Sequence, residues 1–332
     1  MNNLSNLKIK DIGEQGLLQK LQSFCPAHII GDDAAVLPTN REYSLVVTTD
    51  MLIDGVHFSD LTTSPEDAGW RATAANLSDL AAMGATPLGI TVALGLPSEI
   101  SVNWVERLYD GITQCLQKYH VSIVGGDVVR SPITTLSITA FGEVDPNYVI
   151  RRHTAKIGDA IVITGFHGLS RAGLELLLNP EIGKHLKAED KAALITAHQR
   201  PQPRLDVISI LPKTAFPISG MDSSDGLADA VLQICRASGV GANIQYEQIP
   251  IPEVFNHLLK PEQRVQYILY GGEDFELVLC LPQQDALTLV QQLDKNAAII
   301  GYITENKQVI LSDKSGKIPD QVLTLNQGFQ HF

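Results

Sequence analysis

The sequence has few of the features that mark several common classes of protein. It contains four cysteines in 332 residues, Cys25, Cys115, Cys235 and Cys280, without Cys-x-x-Cys spacing. Since they fall in apolar segments, we expect reduced core thiols, not a zinc site or a catalytic thiol. No apolar run reaches the ~18 residues of a membrane span, and the first residues lack a basic segment followed by an apolar one. These absences predict a soluble, cytoplasmic protein.

Positive charge is also scarce. Lysine and arginine total 25 against 37 acidic residues, a net charge of -12. An acidic surface repels phosphates, which argues against a nucleic-acid or anionic-membrane partner. Hydrophobic residues make up 44% and charged residues 19%, as in compact globular proteins. Because single cores usually stop growing near ~250 to 300 residues, the length favours two domains.

The familiar nucleotide-binding loops are missing. There is no Gly-x-x-x-x-Gly-Lys-Ser/Thr loop, no Gly-x-Gly-x-x-Gly turn and no His-Arg-Asp catalytic loop. The chain has instead Gly31-Asp32-Asp33-Ala34-Ala35, with Thr48-Thr49-Asp50 soon after. Two unit charges ~4 Å apart repel by roughly 4 kcal/mol at an effective dielectric near 20, so crowded carboxylates need a cation such as magnesium. These motifs predict a multi-metal site that handles phosphates.

Hydrophobic periodicity places these acids on an alternating pattern of helices and strands. Ser64 and Asp67 form a capping-box pattern that begins a helix running to about Met83, with Gly84 as its stop. A strand from Ser44 to Thr49 should end at Asp50, and one from Val121 to Val124 should end at Gly125-Gly126-Asp127. The second half alternates strand and helix patterns, which is an α/β signature. We predict domains at residues 1–150 and 151–332.

Six motifs in this order carry a resemblance to a known family: Gly31-Asp32-Asp33-Ala34-Ala35, Thr48-Thr49-Asp50, Asn76-Leu77-Ser78-Asp79-Leu80-Ala81-Ala82-Met83-Gly84-Ala85, Gly125-Gly126-Asp127, Ser224-Asp225-Gly226-Leu227 and Gly271-Gly272-Glu273-Asp274-Phe275-Glu276. Together they resemble the thiamine-monophosphate kinases, members of the superfamily of aminoimidazole ribonucleotide synthetase and selenophosphate synthetase. The resemblance covers nearly the whole chain. It implies a two-domain α/β fold in a homodimer, with the N-terminal sheet paired across the dimer.

The resemblance also implies an activity and a set of site residues. The activity is transfer of the γ-phosphoryl group of ATP onto thiamine monophosphate, assisted by several Mg2+ ions. Glu273, His57 and Phe329 match the substrate side. The remaining matches are magnesium-ligand positions, Asp33, Thr48, Thr49, Asp50, Asp79, Asp127, Asp222 and Asp225, and ATP-contacting positions, Gly126, Asp127, Arg152 and Ser224. Asp32 is a candidate just outside the metal shell.

The chemistry needs no strong general base. Donor and acceptor are both phosphates, so the attacking oxygen is already ionised. The barrier is repulsion between two anions, which Mg2+ relieves while it holds them in line. Arg152 can add positive charge, and Phe329 can stack on the cationic thiamine rings.

Other interpretations remain open. Taken singly, Asp32, Asp33, Asp50 and Asp127 fit turns and strand ends, and Asp222 and Asp225 fit helix caps. The chain could be another superfamily enzyme that uses ATP to activate an amide or a selenide, although no cysteine lies in an N-terminal glycine-rich loop. It could also be a non-catalytic sensor of nucleotide or thiamine phosphate. Three positions depart from the family pattern: Val128-Val129, Ser223 and Gln15.

Overall fold

The structure is a computed structural model and describes residues 7–26, 39–211, 218–316 and 318–325. The chain divides into two compact units. The N-terminal unit comprises the described residues up to Leu80 together with Thr86–Glu143. The C-terminal unit comprises Ala81–Ala85 and the described residues from Val144 onward. Three predicted site residues, Asp32, Asp33 and Phe329, lie outside the described residues.

The N-terminal unit contains one sheet of four strands, in the order β1-β4-β2-β3. Strand β2 pairs antiparallel with β4 and parallel with β3. The strands are β1 (Ser44–Ile53), β2 (Thr86–Leu96), β3 (Ile123–Arg130) and β4 (Thr135–Val144), and the helices are α1 (Ile9–Leu21), α2 (Pro65–Ala82) and α3 (Val102–Gln117). One face of the sheet is buried, because alternate residues of β4 from Leu136 to Val144 are buried and those between them are not. The opposite face, called here the open face, keeps its residues partly exposed.

Sequence and structure agree at the ends of α2. Ser64 Oγ accepts from the Asp67 backbone N–H at 3.2 Å, which is the first bond of the predicted capping box. Ser64 Oγ also donates to the Asp67 carboxylate at 2.7 Å. Beyond the helix Gly84 has φ 71°, which favours glycine. Helix α2 crosses α3 at two glycines, since a Cβ on Gly69 or Gly111 would lie about 2 Å from a backbone oxygen of the other helix.

The C-terminal unit contains a sheet of seven strands, in the order β11-β10-β7-β9-β5-β8-β6. Strands β10 and β7 are parallel, and the other pairs are antiparallel. The strands are β5 (Ala160–Ile163), β6 (Ser219–Asp222), β7 (Gly241–Gln245), β8 (Leu277–Leu281), β9 (Ala298–Thr304), β10 (Val309–Ser312) and β11 (Gln321–Val322). The helices are α4 (Leu169–Leu178), α5 (Ala188–Gln199), α6 (Leu205–Ile208), α7 (Leu227–Ser238), α8 (Val254–Leu258), α9 (Pro261–Tyr270) and α10 (Gln283–Gln292).

Both faces of this sheet are covered. In β5, Ile161 and Ile163 belong to a core cluster that includes residues of α4, α7 and α9. Ala160 and Val162, which alternate with them, belong to a second cluster with residues of α10. A strand buried on both faces has apolar residues at consecutive positions, and this explains why every residue of β5 is apolar. The predicted α/β fold class is confirmed.

The four cysteines are free in the structure, but Cys25, which was also expected in the core, is only partly buried. Cys115, Cys235 and Cys280 are buried, and burial raises the pKa of Cys235 to about 12. A thiol with so high a pKa does not form the reactive thiolate. No helix among the residues that the structure describes is long and apolar enough to span a bilayer.

Candidate functional site

Strand β1 and helix α2 bring three of the predicted metal ligands together. Thr48 Oγ1 donates a hydrogen bond to Asp79 Oδ2. The backbone N–H of Asp50 donates to Asn76 Oδ1 at 3.2 Å, and Asn76 is fully buried on α2. Alternation along β1 therefore turns Thr48 and Asp50 toward α2, where Asp79 lies. These oxygen donors have the chemistry that Mg2+ prefers.

Thr49 points to the opposite side of the sheet. Its hydroxyl donates to the carbonyl of Ile138 at 2.9 Å and accepts from Thr139 Oγ1 at 3.1 Å, both on β4. Thr49 therefore lies on the open face, so its hydroxyl is separated from the Asp50 and Asp79 carboxylates by the sheet.

Asp50 and Asp127 lie inside strands, whereas the sequence predicted that they follow strand ends. Strand β1 continues to Ile53, and β3 continues to Arg130 through Gly125-Gly126-Asp127 because it stays paired with β2 as far as Leu96. The sheet requires glycine at 126, because a Cβ there would lie 2.2 Å from the Val92 carbonyl oxygen of β2.

Asp127 does not join the Asp50 group within one chain. Strands β1 and β3 are the two edges of the sheet, three strand spacings or about 14 Å apart. Asp127 pairs with Ala93, which is exposed on the open face, whereas Asp50 faces α2. Two ligands of one Mg2+ ion lie within roughly 4 Å of each other, so Asp50 and Asp127 of the same sheet cannot share an ion.

His57 is held by a tight turn after β1. The N–H of Ile53 donates to His57 Nδ1 at 3.0 Å, which places the imidazole proton of the neutral ring on Nε2. Gly55 makes this turn possible with φ 79°. The turn thus presents the Nε2–H of a neutral histidine.

The second group of predicted residues lies at the edge of the C-terminal sheet. Asp222 ends β6 and is buried, and Ser224 Oγ donates to Asp222 Oδ1 at 3.2 Å. Asp225 is exposed at the start of α7. Gly226 precedes the helix with φ 105°, and a Cβ there would come within 2.9 Å of the Leu269 carbonyl. Glycine at 226 therefore fixes where Asp225 stands.

Arg152 is attached to the same edge through its backbone. Its carbonyl accepts from Ser219 Oγ at 3.1 Å and from Ser238 Oγ at 2.9 Å, while its side chain is exposed. Burial and the charge of Asp225 raise the pKa of Asp229, and Arg152 opposes that increase. Asp229, Asp225 and Arg152 therefore influence one another electrostatically.

The loop that carries Glu273 is hydrogen-bonded to the loop that carries Ser224. The Glu273 N–H donates to the Ser224 carbonyl at 2.7 Å, and the Ser223 N–H donates to the Glu276 carbonyl at 2.8 Å. Ser223 Oγ also donates to that carbonyl at 3.1 Å, which gives the serine at 223 a role in joining the two loops. The structure thus brings Asp222, Ser224, Asp225 and Glu273 together.

Burial raises the pKa of two acids in the Gly271–Glu276 motif. It raises the pKa of Asp274 to about 7, opposed by the backbone N–H groups of Ser170 and Gly168. Burial also raises the pKa of Glu276, opposed by Arg204. Arg204 Nη1 donates to Glu276 Oε2 at 2.7 Å and to the Thr164 carbonyl at 2.6 Å.

Sequence reasoning missed Arg204 and Asp229. Arg204 follows two prolines, at 201 and 203, in a segment of low helical tendency, and sequence pattern alone does not reveal an arginine that pairs inside the fold. Asp229 carried a usable signal, since Asp222 and Asp225 fit helix caps and Asp229 falls in the first turn of the helix that follows them.

The described residues do not by themselves form a complete metal cage. Among residues 7–26, 39–211, 218–316 and 318–325, no group of three or more His, Cys, Asp or Glu is placed to hold a metal ion. Val128 and Val129 continue β3, and Val129 is exposed on the open face. The side chain of Gln15 is outside the described parts.

Comparison with known proteins defines the class. The model of the AIR synthase related protein N-terminal domain matches residues 31–144, and that of the C-terminal domain matches residues 156–314. The two-domain α/β fold and these matches place the chain among the AIR synthase related proteins.

Within that class the chain belongs to the thiamine-monophosphate kinase family. It is 51% identical over 337 residues to a thiamine-monophosphate kinase of Synechococcus elongatus, covering 99% of each chain. The crystal structure of thiamine-monophosphate kinase from Stenotrophomonas maltophilia has a TM-score of 0.79 at 33% identity and covers 91% of this chain and 97% of its own. AaThiL complexed with AMPPCP and TMP has a TM-score of 0.74 at 31% identity and covers 96% and 99%. The resemblance inferred from the ordered motifs is confirmed.

Proposed function

We propose that the protein phosphorylates thiamine monophosphate with ATP, by direct in-line transfer of the γ-phosphoryl group, to make thiamine diphosphate in the cytoplasm. Membership of the kinase family carries this proposal. The solved relative that holds AMPPCP and TMP supports ATP as donor and thiamine monophosphate as acceptor.

In this proposal the predicted site residues have three tasks, which are contact with ATP, contact with the acceptor and binding of Mg2+. Arg152, Ser224, Gly126 and Asp127 contact ATP. His57, Glu273 and Phe329 contact the acceptor, and the Nε2–H of neutral His57 donates to a phosphate oxygen without adding a formal charge. Several Mg2+ ions would supply charge neutralisation between the two anions. Thr48, Asp50 and Asp79 would hold Mg2+ between β1 and α2, and the remaining predicted ligands, Asp33, Thr49, Asp127, Asp222 and Asp225, would hold it at other positions.

We also propose a homodimer in which a second copy covers the open face. Leu45, Val47 and Met51 on β1 and Val129 on β3 are each more than half exposed there. An apolar strip of this kind is characteristic of an interface, and strips on the two edge strands of one sheet suit a self-complementary contact. Val47→Lys should convert the dimer to a monomer in analytical ultracentrifugation, whereas Leu287→Lys, a matched change at an exposed leucine of α10, should not. A dimeric Val47→Lys protein would refute this interface.

The separation of Asp127 from Asp50 fits such a dimer. Because Asp127 lies on the open face, which the second copy would cover, we propose that Asp127 binds Mg2+ in the site of the partner subunit and not with Asp50 of its own chain. The role of Asp127 as a ligand is then compatible with a distance of about 14 Å between strands β1 and β3 of a single chain.

The test of the activity is a product assay with two acceptors. The purified protein with ATP and Mg2+ should convert thiamine monophosphate to thiamine diphosphate and should not phosphorylate thiamine. A chelator should abolish turnover, and excess Mg2+ should restore it. A folded protein that makes no thiamine diphosphate would overturn the proposal, and binding of both ligands without turnover would favour a sensor.

A further inference from the structure

The Gly271–Glu276 motif contains an acid to which the proposed reaction gives no task. Asp274 follows Glu273, and its side chain turns into the unit instead of toward the loops that carry the candidate site. Its Oδ2 accepts from the Gly168 N–H at 2.6 Å and its Oδ1 from the Ser170 N–H at 2.8 Å. Both donors belong to the start of α4, so the carboxylate caps a helix that is distant in sequence.

The backbone on each side of Asp274 has an unusual conformation. Glu273 has φ 67° and Phe275 has φ 53°, in the left-handed region that residues other than glycine rarely adopt. Such a conformation persists only where surrounding contacts impose it. Asp274 lies between the two residues, and its two hydrogen bonds to α4 are contacts of that kind.

A second contact fixes the end of the same loop. Glu276 Oε2 accepts from Thr164 Oγ1 at 2.5 Å and from Arg204 Nη1 at 2.7 Å. The Glu276 carbonyl accepts a hydrogen bond from the Ser223 N–H, and the Glu273 N–H donates to the Ser224 carbonyl. The position of the Glu273 loop therefore also sets the position of the loop with Asp222 and Asp225.

We propose that Asp274 is a positioning residue for the acceptor: by capping α4 it keeps Glu273 and Phe275 in left-handed conformations and so places the Glu273 carboxylate at the substrate. This inference rests on the proposed function, since it assigns Glu273 to the acceptor side. Asp274 acts through Glu273 and does not touch the substrate.

The kinetic test is a double-mutant cycle assayed at pH 8, where the Asp274 carboxyl is mostly ionised. Asp274→Asn keeps the shape but leaves one oxygen for two N–H donors. It should raise KM for thiamine monophosphate about 10-fold and change KM for ATP less than about 3-fold. Because Asp274 acts through Glu273, the double variant Glu273→Gln/Asp274→Asn should be no worse than Glu273→Gln alone. Asp285→Asn, an acid in the first turn of α10, is the matched control and should behave as wild type.

The results that would overturn the proposal are a wild-type KM for the acceptor in Asp274→Asn, or independent effects of the two substitutions that multiply in kcat/KM. A purely structural role predicts multiplication together with similar losses for both substrates. If Asp274→Asn does not fold, Asp274→Ser, whose hydroxyl can accept one helix N–H, takes its place in the cycle.

Amide hydrogen exchange supplies a readout that does not need activity. Asp274→Asn should speed exchange at Glu273 and Ser223 about 10-fold or more relative to Leu279 in the middle of β8. Unchanged exchange at Glu273 would overturn the positioning role. A wild-type protein without turnover but with this exchange response would refute the proposed function and leave the structural anchoring by Asp274 established.

Discussion

Among single residues, Asp50 has the clearest assignment. Its backbone is fixed by the buried amide of Asn76, while its carboxylate faces the helix that carries Asp79. Removing one acid from a crowded acidic group also relieves repulsion when no metal is bound. The cost of losing Asp50 should therefore appear in turnover and much less in stability.

Asp50→Asn should lower kcat/KM by about 100-fold, equivalent to about 2.7 kcal/mol of transition-state stabilisation. The midpoint of thermal unfolding without Mg2+ should stay the same or rise. Steady-state kinetics and a thermal melt measure the two quantities, with exposed Asp60→Asn as the matched control. Full activity in Asp50→Asn would contradict the metal role.

His167 gives a second prediction for a single residue. The ring is fully buried, its Nδ1 bonds the Gly165 carbonyl at 3.2 Å, and its Nε2 has no partner. The neutral ring with its proton on Nδ1 suits this site, whereas a second proton would place a charge without an acceptor. Burial accordingly lowers the pKa of His167 from 6.5 to about 4.

Since the unfolded chain binds this proton more readily than the folded one, stability should fall as the pH falls from about 6.5 to about 4. The loss from His167 is at most about 3 kcal/mol. His167→Asn, which keeps a donor for Gly165, should flatten the dependence in this window, as measured by urea unfolding at several pH values. His185→Asn, a change at an exposed histidine, should leave the pH dependence of stability unchanged. If His167→Asn keeps the wild-type slope of stability against pH, the assignment of that slope to His167 is wrong.

Among elements, the crossing of α2 and α3 leaves no room for a larger residue at its glycines. A Cβ on Gly111 would lie 1.8 Å from the Glu66 carbonyl oxygen, so the helices must move apart to admit a methyl group. Nearby, Arg107 donates to both oxygens of Glu66 at 2.6 and 2.8 Å, and that pair depends on the same spacing.

Gly111→Ala should destabilise the protein by about 1–3 kcal/mol, although alanine is the better helix former. Exposed Asp110→Ala, one residue earlier on α3, should change stability by less than about 0.5 kcal/mol. Denaturant unfolding distinguishes the two variants. A Gly111→Ala protein as stable as wild type would show that the crossing can relax.

The elements also show where sequence reasoning succeeded and where it failed. Ser64, Asp67 and Gly84 gave the bounds of α2, because caps are local hydrogen bonds between neighbours in sequence. The ends of β1 and β3 were placed too early, because a strand continues as long as its partner strand pairs with it. That partner is distant in sequence, and so is the contact between Arg204 and Glu276.

For the whole molecule, the order of the strands decides how the site is assembled. The ordered motifs were sufficient to identify the family and the α/β class. They could not reveal which face of β1 lies against α2, or that Asp127 lies at the far edge of the sheet. Strand order and side-chain direction follow from tertiary pairing, which no single motif contains.

A subunit-mixing experiment tests the proposed sharing of sites. Asp50→Asn and Asp127→Asn should each be inactive as homodimers. After exchange of subunits, half of the dimers are mixed and each has one intact site, so activity should return to about one quarter of wild type. No recovery, once subunit exchange has been verified by differential tagging, would place both acids in the site of one chain.

The most direct test of the central claim follows the phosphate itself. The protein is incubated with thiamine monophosphate, Mg2+ and ATP radiolabelled at the γ-phosphate, and the products are separated. Direct transfer predicts labelled thiamine diphosphate in an amount equal to the ADP formed, with no labelled inorganic phosphate. Label released as inorganic phosphate, with thiamine monophosphate unchanged, would contradict the account.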